Sequence, residues 1–131
     1  RDNERTVKTM KLIYVAHKFG GDLRNADRAD RLTAELNLRI NGAVFICPWL
    51  PMVRHWPNNS GALERGMMLD LASVKRCDGI LALTPLLTGV KSEWDTCTGS
   101  KLHFEDVEDC GAFSDYAADT IQTWVDSIGV F

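Results

Sequence analysis

Asp70-Leu71-Ala72-Ser73-Val74-Lys75-Arg76-Cys77-Asp78-Gly79-Ile80-Leu81-Ala82-Leu83 is the stretch on which the fold turns. Its first half continues a pattern in which Leu63, Met67, Leu71 and Val74 recur at helical spacing, and its second half ends in an unbroken apolar run. A short run of that kind suits a strand covered on both faces, as in a parallel sheet. Asp70 stands three residues after Met67 and four before Val74, which puts a carboxylate on the edge of the helix's apolar face. A carboxylate there costs energy unless it has a partner or a chemical task.

The same alternation repeats on either side. Residues 11–16 (KLIYVA) read as a buried strand, and Gly20-Gly21-Asp22 as a turn whose Asp22 caps a helix. Ala29, Leu32, Leu36 and Ile40 mark the inner face of that helix, and Asn41-Gly42 ends it. Residues 43–47 (AVFIC) form a second strand stopped by Pro48. Residues 49–60 contain Pro51, Pro57 and several aromatics, and read as a loop over a pocket. A second helix is expected over residues 61–76 and a third strand over 79–83. Ser92-Glu93-Trp94-Asp95 matches a capping box, so a helix is expected to begin there. Residues 103–116 are acidic and patternless, whereas 117–128 read as a closing helix with Ile121, Trp124, Val125 and Ile128 inward. Residues 1–10 are polar and aperiodic, a flexible leader or expression remnant with Met10 as a native start. The order predicts one α/β domain over residues 11–131. It is Rossmann- or flavodoxin-like, a mostly parallel sheet with helices on both faces.

Composition narrows the function. At 131 residues, 45% hydrophobic and 25% charged, the chain is long enough for one real core. A net charge of −3 without a basic stripe argues against polymeric nucleic acid as partner, but leaves a single nucleotide open. No apolar run is long enough to span a membrane, and no signal peptide is evident. The four cysteines (Cys47, Cys77, Cys97 and Cys110) show no CxxC spacing and read as free thiols of a reduced, cytoplasmic protein. His17, His55 and His103 are scattered, so neither a metal site nor a metal cofactor is expected.

In sheets of this kind ligands bind outside the carboxyl ends of the strands. That edge gathers the loops after Ala16, after Cys47 and from Thr84 to Ser92, with Tyr14 and His17 at the end of the first strand. Asp70 has to project toward the same edge, where Glu93 and Asp95 also arrive. Converging carboxylates suggest work on a sugar-like carbon. Each residue also has a plainer reading. Asp70 suits a helix surface, Asp78 a strand entry bonded to local backbone, and Asp95 a cap with Ser92. Glu93 suits a helix's first turn, Tyr14 the core and His17 the surface. Trp49 and Trp56 could cover the core as readily as stack on a base, and Gly20-Gly21 is a turn before it is a phosphate cradle.

Several motifs, in order, carry a resemblance. They are Ile13-Tyr14-Val15-Ala16 with Asn25 in the helix beyond, Phe45-Ile46-Cys47-Pro48, Asp70 through Cys77-Asp78, and the turn from Gly89 to Ser92. Over roughly residues 11–100 the chain resembles the nucleoside 2-deoxyribosyltransferase-like superfamily, including its nucleotide N-glycosidase branch. The resemblance implies cleavage or transfer at the N-glycosidic bond of a nucleoside or nucleotide, without a cofactor. Asp70 would position or protonate, and Glu93 or Asp95 would be the nucleophile. Tyr14, His17, Gly20, Gly21, Asn25, Asp78, Gly89 and Ser92 would bind substrate. The chain departs from the family at the nucleophile. Spacing from Asp78 falls near Trp94, while alignment on the serine favours Asp95 or falls on Cys97. The alternative is a non-catalytic nucleotide-binding or interaction module on the same fold. Family members commonly build sites across subunits, so the resemblance also implies a homo-oligomer.

Overall fold

The computed structural model describes residues 7–107 and 113–129. Four strands form a wholly parallel sheet: β1 (Lys11–Ala16), β2 (Ala43–Ile46), β3 (Gly79–Ala82) and β4 (Ser100–His103), in the order β2-β1-β3-β4. The expected α/β architecture, doubly wound with helices on both faces, is the one present. Val7–Thr9 make a helical turn ahead of β1, and the rest of the expected leader, like Cys110, lies outside the described residues.

Strand alternation splits the core in two. Ile13 and Val15 of β1, Phe45 of β2 and Leu81 of β3 face one side. There they pack against Leu32 and Leu36 of α1 (Leu23–Arg39) and against Ala117, Ile121 and Val125 of α5 (Asp115–Ser127). Tyr14, Ala16, Ile80 and Ala82 face the other side. Their partners include Trp49 of α2 (Trp49–His55), Val74 of α3 (Ser60–Lys75) and Val90 of α4 (Thr88–Thr96). α1 begins as expected, with Asp22 accepting the Arg24 backbone N–H at 2.9 Å.

Local expectations fail in four places. Residues 49–60 are not all loop, because α2 occupies the first part. Pro51 is the third residue of α2, where a helix N–H has no internal acceptor and proline costs nothing. On α3, Leu63 is 65% exposed while Asp70 and Val74 are buried, so the inner face is rotated from the apolar pattern. α4 begins at Thr88 rather than at Ser92. Ser92 sits one turn inside it and hydrogen-bonds back to the Thr88 carbonyl, so it caps nothing. Finally, β4 lay unseen before the acidic stretch. Its half-exposed edge sequence gives no apolar run, and it joins the sheet through its ladder with β3, with the Trp94 ring meeting His103 edge-on at 6.1 Å.

Candidate active site

Strand order reverses direction between β1 and β3, which makes the carboxyl ends of these two strands the switch point of the sheet. Their loops are tied together. The Leu83 N–H donates to the Ala16 carbonyl at 3.0 Å, and the Lys18 N–H donates to the Thr84 hydroxyl at 2.9 Å. Gly20 and Gly21, with φ of 58° and 75°, turn the first loop in the left-handed region that favours glycine. The Asn25 side-chain amide pins that loop by donating to the Phe19 carbonyl at 2.9 Å. The second loop enters α4 through Thr88, whose φ of 45° is strained for a β-branched residue.

A cavity of about 470 Å³ opens between the loops, walled by His17, Phe19, Trp49, Met67, Asp70, Gly89 and Glu93 among others. A second cavity of about 350 Å³ adjoins it and shares Phe19, Trp49, Val53, Met67 and Asp70. A third, of about 310 Å³, lies on the other side of His17 and Lys18 and is lined by Asn25, Arg28, Thr84 and Glu105.

α3 and α4 bring Asp70 and Glu93 to the first cavity from different elements, and β1 supplies the group behind them. Tyr14 is fully buried, and its hydroxyl donates to Glu93 Oε2 at 2.6 Å. Asp70 is 7% exposed and Glu93 5%. Burial raises Asp70 to about 7, with the Tyr14 hydroxyl pulling the other way. Burial raises Glu93 to about 8. The Tyr14 hydrogen bond opposes that rise and the Asp70 charge adds to it. Burial first, and the Glu93 charge next, push the Tyr14 hydroxyl far above its ordinary value, so it remains a donor. Asp70 Oδ1 is buried without a hydrogen-bond partner among the described residues. Two acids on one wall, both raised by burial into the neutral range, are suited to general acid–base work.

His17 is buried and held at both ring nitrogens. Nδ1 meets the Lys18 carbonyl at 2.7 Å and Nε2 meets Arg28 Nη1 at 2.8 Å. Burial lowers its basicity, as does the Arg28 charge, against the Lys18 carbonyl, which raises it. The ring is therefore a fixed neutral wall, with Nε2 accepting from the guanidinium.

Of the expected site residues, His17, Gly20, Asp70, Gly89 and Glu93 line the first cavity, Gly21 the second and Asn25 the third. Tyr14 stands behind the wall and bears on it through Glu93. Asp95 is exposed and pairs with Lys91 at 2.8 Å, away from the cavity lining. Ser92 is likewise exposed on the outer side of α4. Asp78 lies at the opposite, amino-terminal edge, where its carboxylate accepts the Leu12 N–H at 2.8 Å and joins β3 to β1. A helix that starts at Thr88 explains the first two. It turns Glu93 inward and Ser92 and Asp95 outward, while strand direction alone removes Asp78 from the ligand edge. Phe19, Met67 and Thr88 were missed. Only their positions beside the Gly20-Gly21 turn, on the Asp70 helix and before Gly89 could have signalled them.

Among the described residues no cluster of histidine, cysteine or acidic side chains is arranged to hold a metal ion, and no helix is long and apolar enough to cross a membrane. Comparison with known protein families, curated proteins and solved structures finds no match for the chain.

Proposed function

We propose that the protein cleaves or transfers at the N-glycosidic bond of a nucleoside or nucleotide, with Glu93 as nucleophile, Asp70 as proton donor to the leaving base and Tyr14 as a positioning residue. The observation that carries this reading is the 2.6 Å hydrogen bond from the Tyr14 hydroxyl to Glu93, on a cavity wall shared with Asp70. The bond fixes one carboxylate oxygen and leaves the other for chemistry.

The steps balance with one proton shared by the two acids. A Glu93 carboxylate oxygen bonds to the anomeric carbon as the C–N bond breaks. The bonding electrons leave with the base nitrogen, and Asp70 delivers its proton to the base. Asp70, now ionised, takes a proton from water, or from an incoming base. The oxygen or nitrogen so activated attacks the anomeric carbon and releases Glu93. With Glu93 raised above Asp70, the shared proton rests mainly on Glu93 in the free protein. The reactive arrangement is the minor one with that proton on Asp70, and the Tyr14 hydrogen bond and the positive charge growing on the sugar both favour it. Lys18 and Gly20 stand on the same wall, where sugar hydroxyls or a phosphate would lie. The setting proposed is the reducing cytoplasm, in keeping with Cys47, Cys77 and Cys97 as free thiols. The resemblance alone carries the proposal of a homo-oligomer.

The test is chromatographic detection of free base from a panel of ribo- and deoxyribonucleosides and their 5′-monophosphates. Release from at least one member is expected. Tight binding of a nucleotide with no base released from any member would replace this reading with a non-catalytic binding module.

A further inference from the structure

The second cavity differs in character from the first. Trp49, Met52 and Trp56 line one part of it and Leu63 and Met67 another, and its polar side chains are Asn58 and Asp70. At about 350 Å³ it falls in the range of sites for drug-sized ligands, larger than a bare pyrimidine ring requires. It adjoins the candidate active site and shares Phe19, Trp49, Met67 and Asp70 with it, so a substrate whose scissile bond lies at Asp70 and whose sugar faces Glu93 would send its base toward this space.

Two features hold the space open. Gly66, on the inner side of α3, has no side chain to fill it, and a Cβ there would already touch Met52 Sδ at 3.5 Å. α2, which brings Trp49 and Met52, is fastened to α1 by Arg54. Its guanidinium meets Asp27 at 2.9 Å and Asp30 at 3.1 Å. The wall is therefore pre-formed.

We propose that this cavity selects a bicyclic base carrying a bulky apolar substituent, and that Gly66 and Arg54 determine the selection, Gly66 by vacancy and Arg54 by positioning α2. The proposal rests on the N-glycosidic reading of the neighbouring acids. Flat aromatic walls stack on a ring, and the space beyond the ring is walled by apolar atoms that reward an apolar group and penalise an unpaired polar one.

The experiment is calorimetric titration of the protein with cytosine, adenine and N6-benzyladenine as free bases, repeated on Gly66→Leu and Arg54→Ala, with thermal melts of each variant. In the wild type N6-benzyladenine is expected to bind at least tenfold more tightly than adenine, and cytosine most weakly. Gly66→Leu, which exchanges glycine for a better helix former, is expected to keep the fold and abolish the benzyl advantage. Arg54→Ala, at a partly exposed side chain, is expected to shrink it. Equal affinity for the three bases in the wild type, or a benzyl advantage that survives in Gly66→Leu, overturns the proposal. Because the bases carry no sugar, the two readings fail separately. A benzyl preference without base release from any matching nucleoside or nucleotide defeats the glycosidase reading alone. Base release without the preference defeats the cavity assignment alone.

Discussion

In the role proposed for it, Glu93 faces opposed requirements. A carboxylate that attacks carbon has to be ionised, yet burial holds this one up at about 8. Tyr14 is the local remedy, because a hydrogen bond to the charged form lowers the value. The hydroxyl opposes the rise of Asp70 as well, so Tyr14→Phe is expected to move both limbs of the pH–rate profile upward while leaving substrate capture nearly intact, as initial rates across pH 5–9 would show. Unchanged limbs would remove Tyr14 from the chemistry. The same burial bears on stability. Asp70 rises from an ordinary 3.8 to about 7, so between these values the unfolded chain is ionised while the folded chain keeps its proton. Stability from this group is complete below the unfolded value and is lost as pH rises through the folded one. Asp70→Asn is thus expected to be more stable than wild type at pH 8, by about 1–4 kcal/mol, with the difference vanishing near pH 4. Denaturant melts at the two pH values measure it, and an equal difference at both would show that the penalty does not exist. Asp70 was legible in the sequence as an acid on the edge of an apolar face. The choice between Glu93 and Asp95 was not, because they stand two positions apart and a helix rotates about 200° over that distance, so the helix start alone decides which one faces inward.

Among the elements, those with long apolar signals were legible and those fixed by close contact were not. β1 and β3 declared themselves because both faces are covered. α2 hid behind Pro51, whose position in the first turn makes it harmless. β4 hid because an edge strand needs apolar residues on one face only. Its entry depends instead on Gly99, where an added Cβ would lie 2.1 Å from the Asp78 carbonyl oxygen. Gly99→Ala must push β4 from β3 and is expected to cost about 1–3 kcal/mol, read as a lower denaturant midpoint. Gly66→Ala, by contrast, meets only ordinary contact and is expected to stabilise α3 by up to about 1 kcal/mol. If the two substitutions shift the midpoint alike, the packing at β4 is not as described.

At the scale of the whole molecule, topology assembles the site from residues far apart in the chain. Tyr14, Asp70 and Glu93 come from three elements and meet only because β1 and β3 are neighbours at the switch point. The alternating order of strands and helices foretold that edge, which is why His17, Asp70 and Glu93 were found. Asp78 was misplaced because the family resemblance was followed over strand direction, since a residue that enters β3 stands at its amino-terminal end. The proposed reaction would take its pH dependence from the pair of Asp70 and Glu93. With Asp70 near 7 and Glu93 near 8, the pair holds one proton between these values, and turnover is expected to peak there through the minor arrangement with that proton on Asp70. It falls below them, where both acids are protonated and no nucleophile remains, and above them, where both are ionised and no proton donor remains. The most direct measurement compares free-base release by wild type, Glu93→Gln and Asp95→Asn on the best substrate of the panel. Glu93→Gln should retain nucleotide binding and lose nearly all turnover, while Asp95→Asn, an exposed partner of Lys91, should turn over like wild type. Wild-type turnover in Glu93→Gln, or its loss in Asp95→Asn alone, would show that the buried pair is not the catalytic centre.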